Sequence, residues 1–107
     1  MKMNFIKAID IINKDFEDAE IEITLDGDTI ITELNKPYSE MCKMNFIEYD
    51  FLKDLYIAKS LELKAQFPLL NFAFAFSDFE KNVVYTGILD GHVIYDAFDR
   101  KDVSKGE

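Results

Sequence analysis

A chain of 107 residues that is 49% hydrophobic, with ten Phe and five Tyr, holds enough apolar mass for a packed core and too much for disorder. A formal charge of −9 works against direct contact with nucleic acid, whose phosphates would repel such a surface, and favours a basic partner. The lone Cys42 excludes an internal disulfide and fits a reducing cytoplasm, and Arg100 is the single Arg, so bidentate clamping of phosphate has little material.

The length suits one domain over residues 1–107. Lys2 followed by apolar residues has the outline of a leader, but Asp10, Asn13, Lys14 and Asp15 interrupt it, and no small-residue cleavage site follows. The longest apolar run, Phe72 to Phe76, is far short of a membrane span. The expectation is a soluble, cytoplasmic protein that does not engage a membrane.

Phe5, Ala8, Ile9, Ile12 and Phe16 recur at the spacing of one helical face, which predicts a first helix from Phe5 to Glu17 with Asn4 as N-cap. Two alternating runs follow, Glu20 to Leu25 and Asp28 to Leu34, joined by Asp26-Gly27. Asp-Gly between alternating segments predicts a hairpin with a type I′ turn. A two-residue loop there sets Leu25 opposite Asp28, Ile23 opposite Ile30, Ile21 opposite Thr32 and Glu20 opposite Glu33. Ile21, Ile23, Leu25 and Ile30 then share a packing face, while Glu20, Glu22, Thr24, Thr29, Ile31 and Glu33 share a wet one.

Asn35-Lys36-Pro37 closes the hairpin, since proline cannot continue a central ladder. Tyr38 to Met44 reads as a loop or a short helical turn. Asn45 with Glu48 forms a capping box, flanked by Met44 and Tyr49 as a staple. The following helix is expected to turn Ile47, Phe51, Leu55, Ala58, Leu61 and Ala65 inward until Pro68 stops it, with Phe46, Leu52, Tyr56 and Ile57 broadening that face.

Leu70, Phe72, Phe74 and Phe76 alternate with Asn71, Ala73, Ala75 and Ser77. A strand apolar on both sides is central, and its Ala side suits close approach of a helix. After a polar turn from Ser77 to Asn82 come Val83 to Leu89, an Asp90-Gly91 turn, and His92 to Phe98. The polar residues 99–107 form an expected frayed tail. The two Leu-Asp-Gly turns reflect shared turn chemistry, since the segments before them differ. The fold class is therefore α+β: an antiparallel sheet of about five strands with two helices packed on it, in the order α-β-β-α-β-β-β.

No catalytic signature emerges. His92, the single histidine, follows a hairpin turn, where an exposed polar residue is ordinary, and Cys42 reads as a small hydrophobe. Asp26-Gly27-Asp28 and Asp90-Gly91-His92 are explained by turn formation and are too short for a calcium loop. There is no Gly-rich phosphate loop, and the Phe-rich strand lacks the interleaved bases of a stacking platform. Neither cofactor nor metal is expected, and the chain is not expected to be an enzyme.

The acidic residues remain. From Asp15 to Glu33 the chain carries Asp15, Glu17, Asp18, Glu20, Glu22, Asp26, Asp28 and Glu33 with no Lys or Arg. These eight are the candidate partner-binding residues. One reading is a solvated face that keeps a sheet edge from pairing with another. The sharper one is a binding surface for a basic groove, as in small acidic inhibitors of nucleases from phages and mobile elements, including inhibitors of restriction and CRISPR systems, which this chain resembles in size and charge alone. An immunity protein for a basic toxin would use the same electrostatics, and an assembly subunit would rely on an apolar edge instead.

Overall fold

The computed structural model describes residues 2–98, and the expected frayed tail lies outside the described residues. In chain order the elements are α1 (Lys2–Asp15), β1 (Ile21–Asp26), β2 (Thr29–Asn35), α2 (Tyr38–Lys43), α3 (Phe46–Gln66), β3 (Asn71–Asp78), β4 (Val83–Leu89) and β5 (His92–Asp96). The protein is α+β, with the five strands lying side by side in sequence order. Two expectations need correction. The sheet is mixed, because β2 and β3 run parallel while every other neighbouring pair is antiparallel. There are also three helices among the described residues instead of two.

Both differences arise between β2 and β3. The 21 residues of α3 extend about 31 Å, long enough to carry the chain back past the start of β2. The next strand then begins beside Thr29 and runs the same way, with Asn71 opposite Thr29 and Ser77 opposite Asn35. The extra helix, α2, is only six residues and has no side-chain cap from Pro37. Its first N–H, on Tyr38, is instead accepted by Asp78 Oδ2 at 2.9 Å, from the end of β3. A cap supplied from 40 residues away leaves no local trace in sequence.

The first hairpin turns one residue later than Asp26-Gly27. Gly27 and Asp28 make the turn, and Asp26 stays in the strand opposite Thr29. Gly27 alone takes a positive φ, +60°, which is the pattern of a type II′ turn and spares an Asp the left-handed conformation. Every partner is thereby displaced: Leu25 faces Ile30, Ile23 faces Thr32, Ile21 faces Leu34 and Glu22 faces Glu33. The displacement is two residues along the facing strand, so side-chain parity is kept and Ile21, Ile23, Leu25 and Ile30 still share one face. Ile30 is fully buried there, whereas Leu25, at the tip, is 52% exposed. The second hairpin turns at Asp90-Gly91 as expected, with φ of +46° and +86°, the pattern of a type I′ turn.

β3 is the central strand, and Phe72, Phe74 and Phe76 are all buried. The helices lie on this Phe face and not on the Ala face. Phe16, just beyond α1, meets the Phe74 ring edge-on at 5.8 Å, Tyr56 of α3 meets Phe76 at 5.3 Å, and Phe67 meets Phe72 at 6.2 Å. Ala8 and Ile12 of α1, Leu63 of α3, Ile30 and Leu34 of β2, and Tyr85 and Ile88 of β4 belong to the same core. Ala73 and Ala75 point to the side without helices. Within the core, Thr32 Oγ1 is buried without a hydrogen-bond partner.

α1 starts before Asn4, which therefore sits inside the helix instead of capping it. In α3 the cap is as expected, with Asn45 Oδ1 accepting from the Glu48 N–H at 2.8 Å, but the helix is rotated half a turn from expectation. Tyr49, Ser60 and Leu63 are its buried residues, with Leu52 and Tyr56 packed against the core beside them. The stripe expected inside faces outward: Ile47 is 82% exposed, Phe51 56%, Leu55 53% and Leu61 50%, and Ala58 and Ala65 are exposed as well. Both faces of α3 are apolar, so spacing alone could not choose between them.

Candidate acidic interface

β1 is one edge of the sheet, and its hairpin with β2 presents carboxylates on the helix-free side. Glu22 and Glu33 stand directly opposite each other, in place of the expected Glu20 and Glu33. Like charges in directly opposed positions destabilise a sheet by about 0.2–1 kcal/mol. Glu33 offsets part of this by accepting a hydrogen bond from Ser77 Oγ at 2.8 Å. Glu20, just before β1, is tied to Asn35 twice: its carbonyl accepts the Asn35 N–H at 2.9 Å and its Oε1 accepts Asn35 Nδ2 at 2.8 Å.

Glu22 and Glu33 line a small cleft of about 150 Å³ with Ser77, Asp78, Asn82 and Val84. Asp78 belongs to this neighbourhood and was missed in the sequence. Its carboxylate accepts the N–H groups of Tyr38 at 2.9 Å and Lys81 at 3.0 Å. Those two backbone donors hold the Asp78 carboxyl below the usual carboxylate range. Only the parallel pairing of β2 with β3 brings the end of β3 beside Glu33, so nothing in the spacing could have revealed it.

The other candidates are dispersed. Asp26 and Asp28 sit at the hairpin tip, where the Asp28 carbonyl accepts the Asn71 N–H at 2.8 Å. From Glu22 to Asp26 the strand runs about 13 Å. Glu17 and Asp18 are exposed in the α1–β1 connection. Asp15 is engaged elsewhere: its Oδ2 lies 2.5 Å from Lys59 Nζ, an ion pair joining α1 to α3 on the helix side. The structure thus brings Glu20, Glu22 and Glu33 together, places Asp26 and Asp28 further along the same hairpin, and engages Asp15 with Lys59.

Chemically, this arrangement accepts hydrogen bonds and attracts cationic side chains. Among the described residues no Lys or Arg pairs with Glu20, Glu22 or Glu33. Among the same residues, no three His, Cys, Asp or Glu side chains stand close enough to hold a metal ion. His92 and Cys42 do not meet. His92 pairs beside Leu89, which faces Ala73 near the start of β3, whereas Cys42 rides on α2, anchored at the end of β3. Cys42 instead neighbours Tyr38 and raises that phenol's pKa.

A second concavity of about 460 Å³ opens between α2 and α3, lined by Met41, Cys42, Met44, Asn45, Phe46, Tyr49 and Phe98. Its lining carries no charged side chain. No helix among the described residues is long and apolar enough to cross a membrane. Compared with protein-family models, curated proteins and solved structures, the chain matches none of them.

Proposed function

We propose that the protein is a small, non-catalytic binding module whose β1–β2 hairpin docks its carboxylates into a basic surface of another protein. The observation that carries this reading is the grouping of Glu20, Glu22 and Glu33 on one edge hairpin, with no Lys or Arg ion-paired to them among the described residues. A partner that grips nucleic acid presents the complementary field, and attraction between opposite fields speeds encounter and suppresses wrong partners. The class of partner is thus a nuclease or defence enzyme of the restriction or CRISPR kind, with the chain acting as a phage- or mobile-element-encoded inhibitor that occupies its nucleic-acid site. An immunity protein for a basic toxin rests on the same residues and differs only in the partner.

The test is a pull-down from the native cell at low salt, followed by elution at high salt and assay of the captured partner for nucleic-acid binding. Replacing Glu20, Glu22 and Glu33 together by Gln should weaken capture by about tenfold or more and flatten its salt dependence. Asp15→Asn is the matched control, because Asp15 is already paired with Lys59 and should not contribute. Capture that survives the triple change sinks the acidic-hairpin reading. A captured partner that binds no nucleic acid and kills cells when free assigns the chain to immunity instead.

A further inference from the structure

We infer that the partner of the acidic hairpin also seats an apolar side chain in a concavity beside it, so that the surface reads a protein segment carrying a basic residue next to an aromatic or aliphatic one. This deepens the proposed function and rests on it.

The shared wall comes first. Val83 and Val84 line the cleft that holds Glu22 and Glu33. They also line a second concavity of about 350 Å³, together with Tyr38, Tyr85, Tyr95 and Ala97. One pair of side chains thus divides a carboxylate cleft from an apolar one. The register of the sheet produces this juxtaposition. Glu22 pairs with Glu33, Glu33 with Ala75, Ala75 with Gly87 and Gly87 with Tyr95, so a single row on the helix-free side runs from two carboxylates to an aromatic ring. Ala75 and Gly87 keep the middle of the row low. Ile94 leans over it, with Cγ1 3.4 Å from the point a Cβ on Gly87 would occupy.

The apolar end of the row is open to solvent. Val84 is 48% exposed, Tyr95 54% and Ile94 64%. Adjoining open apolar side chains with a polar border mark an interaction site, and the charges at the border select the occupant. No Lys or Arg among the described residues is ion-paired to Glu22 or Glu33, so these carboxylates attract a cation and repel nucleic acid and anionic lipid. Lys81 lines the apolar concavity and turns a cation away from that end, which fixes the direction of docking. The two ends do different work. Exposed carboxylates speed encounter and are screened by salt, whereas a desolvated apolar anchor slows dissociation.

Short blocked Ser peptides test this, one carrying Arg and Phe at alternate positions, one Arg alone and one Phe alone. An extended chain projects alternate residues on one side about 7 Å apart. Titrated to about 1 mM and followed by amide shifts in nuclear magnetic resonance, the Arg-Phe peptide should bind about tenfold more tightly than either of the others. It should shift Glu33 and Val84 together. Tyr95→Ser, at an open position, should abolish the gain from Phe and leave the salt dependence, and Glu22→Gln with Glu33→Gln should abolish the gain from Arg; unchanged amide spectra elsewhere show that each variant is folded. If the Arg-Phe and Arg peptides bind equally, the inference is overturned and the hairpin reading stands. If the Arg-Phe and Phe peptides bind equally, the hairpin reading sinks and takes the inference with it. Absence of any shift at the highest concentration, or shifts confined to other surfaces, overturns the inference as well.

Discussion

Gly91 is held in place by several constraints that no other residue type satisfies together. Its φ is +86°, its N–H donates to Ser60 Oγ at 2.8 Å, and the side chain of Leu61 fills the space a Cβ would enter, with Cγ 2.7 Å away. Gly27 shares only the first, since φ is +60° but no atom lies within 4 Å of its missing Cβ. The comparison separates backbone strain from packing. Gly27→Ala should cost about 1–2 kcal/mol, the penalty of a left-handed residue. Gly91→Ala adds overpacking against α3 and should cost about 3 kcal/mol, because Leu61 must move as well. Urea unfolding of the two variants checks this through the difference in midpoint at unchanged slope. Equal midpoints would mean that Leu61 yields freely and that α3 does not press on the turn.

At the scale of elements, α3 is oriented by polar contacts and not by its apolar pattern. The Tyr49 hydroxyl lies 2.5 Å from Thr86 Oγ1 and donates to Asp96 Oδ1 at 2.7 Å, while Lys53 Nζ lies 2.7 Å from Asp96 Oδ2. The Asp96 carboxylate is only 6% exposed, so it depends on these donors. Lys53→Met strands a buried charge and should cost about 3 kcal/mol, whereas adding Asp96→Asn should recover much of that loss; a double-mutant cycle by chemical unfolding measures both. Additive losses would show that the pair does not fix the helix. The same contacts explain what the sequence left illegible. The cap at Asn45 and the length of α3 are local and could be read, but two apolar stripes competed for the core, and the choice fell to partners at Thr86 and Asp96, 37 and 47 residues beyond Tyr49. The hairpin faces were legible despite the misplaced turn, because a two-residue displacement preserves parity. The parallel pairing, the Asp78 cap of α2 and the place of Asp78 beside Glu33 all depend on the return path of α3, which no local pattern encodes. Of the eight candidate carboxylates, Asp15 has a partner that was illegible for the same reason, since Lys59 reaches it only once α1 and α3 are packed together.

For the molecule as a whole, titration should bound stability on both sides. Asp78 ties α2 to the end of β3, and the N–H groups of Tyr38 and Lys81 keep its folded pKa depressed. Its contribution is therefore complete above the unfolded value, about 3.9, and is lost as pH falls through the lower folded value. On the alkaline side, burial first of all raises the phenols of Tyr49 and Tyr85 well above the usual range. Tyr85 also donates to the Lys36 carbonyl at 2.6 Å, a bond that ionisation would remove. A raised folded pKa gives stability that is complete below the unfolded value, about 10, and is lost as pH rises through the folded one. Following phenolate absorbance and far-ultraviolet circular dichroism together from pH 7 upward should show part of the tyrosine signal appearing only as secondary structure is lost. Tyr85→Phe should remove part of that late absorbance and make the alkaline loss of stability less steep. If the full absorbance instead develops near pH 10 with the dichroism intact, the phenols are open to hydroxide, and α3 and β4 do not seal the core against water as the structure has them doing.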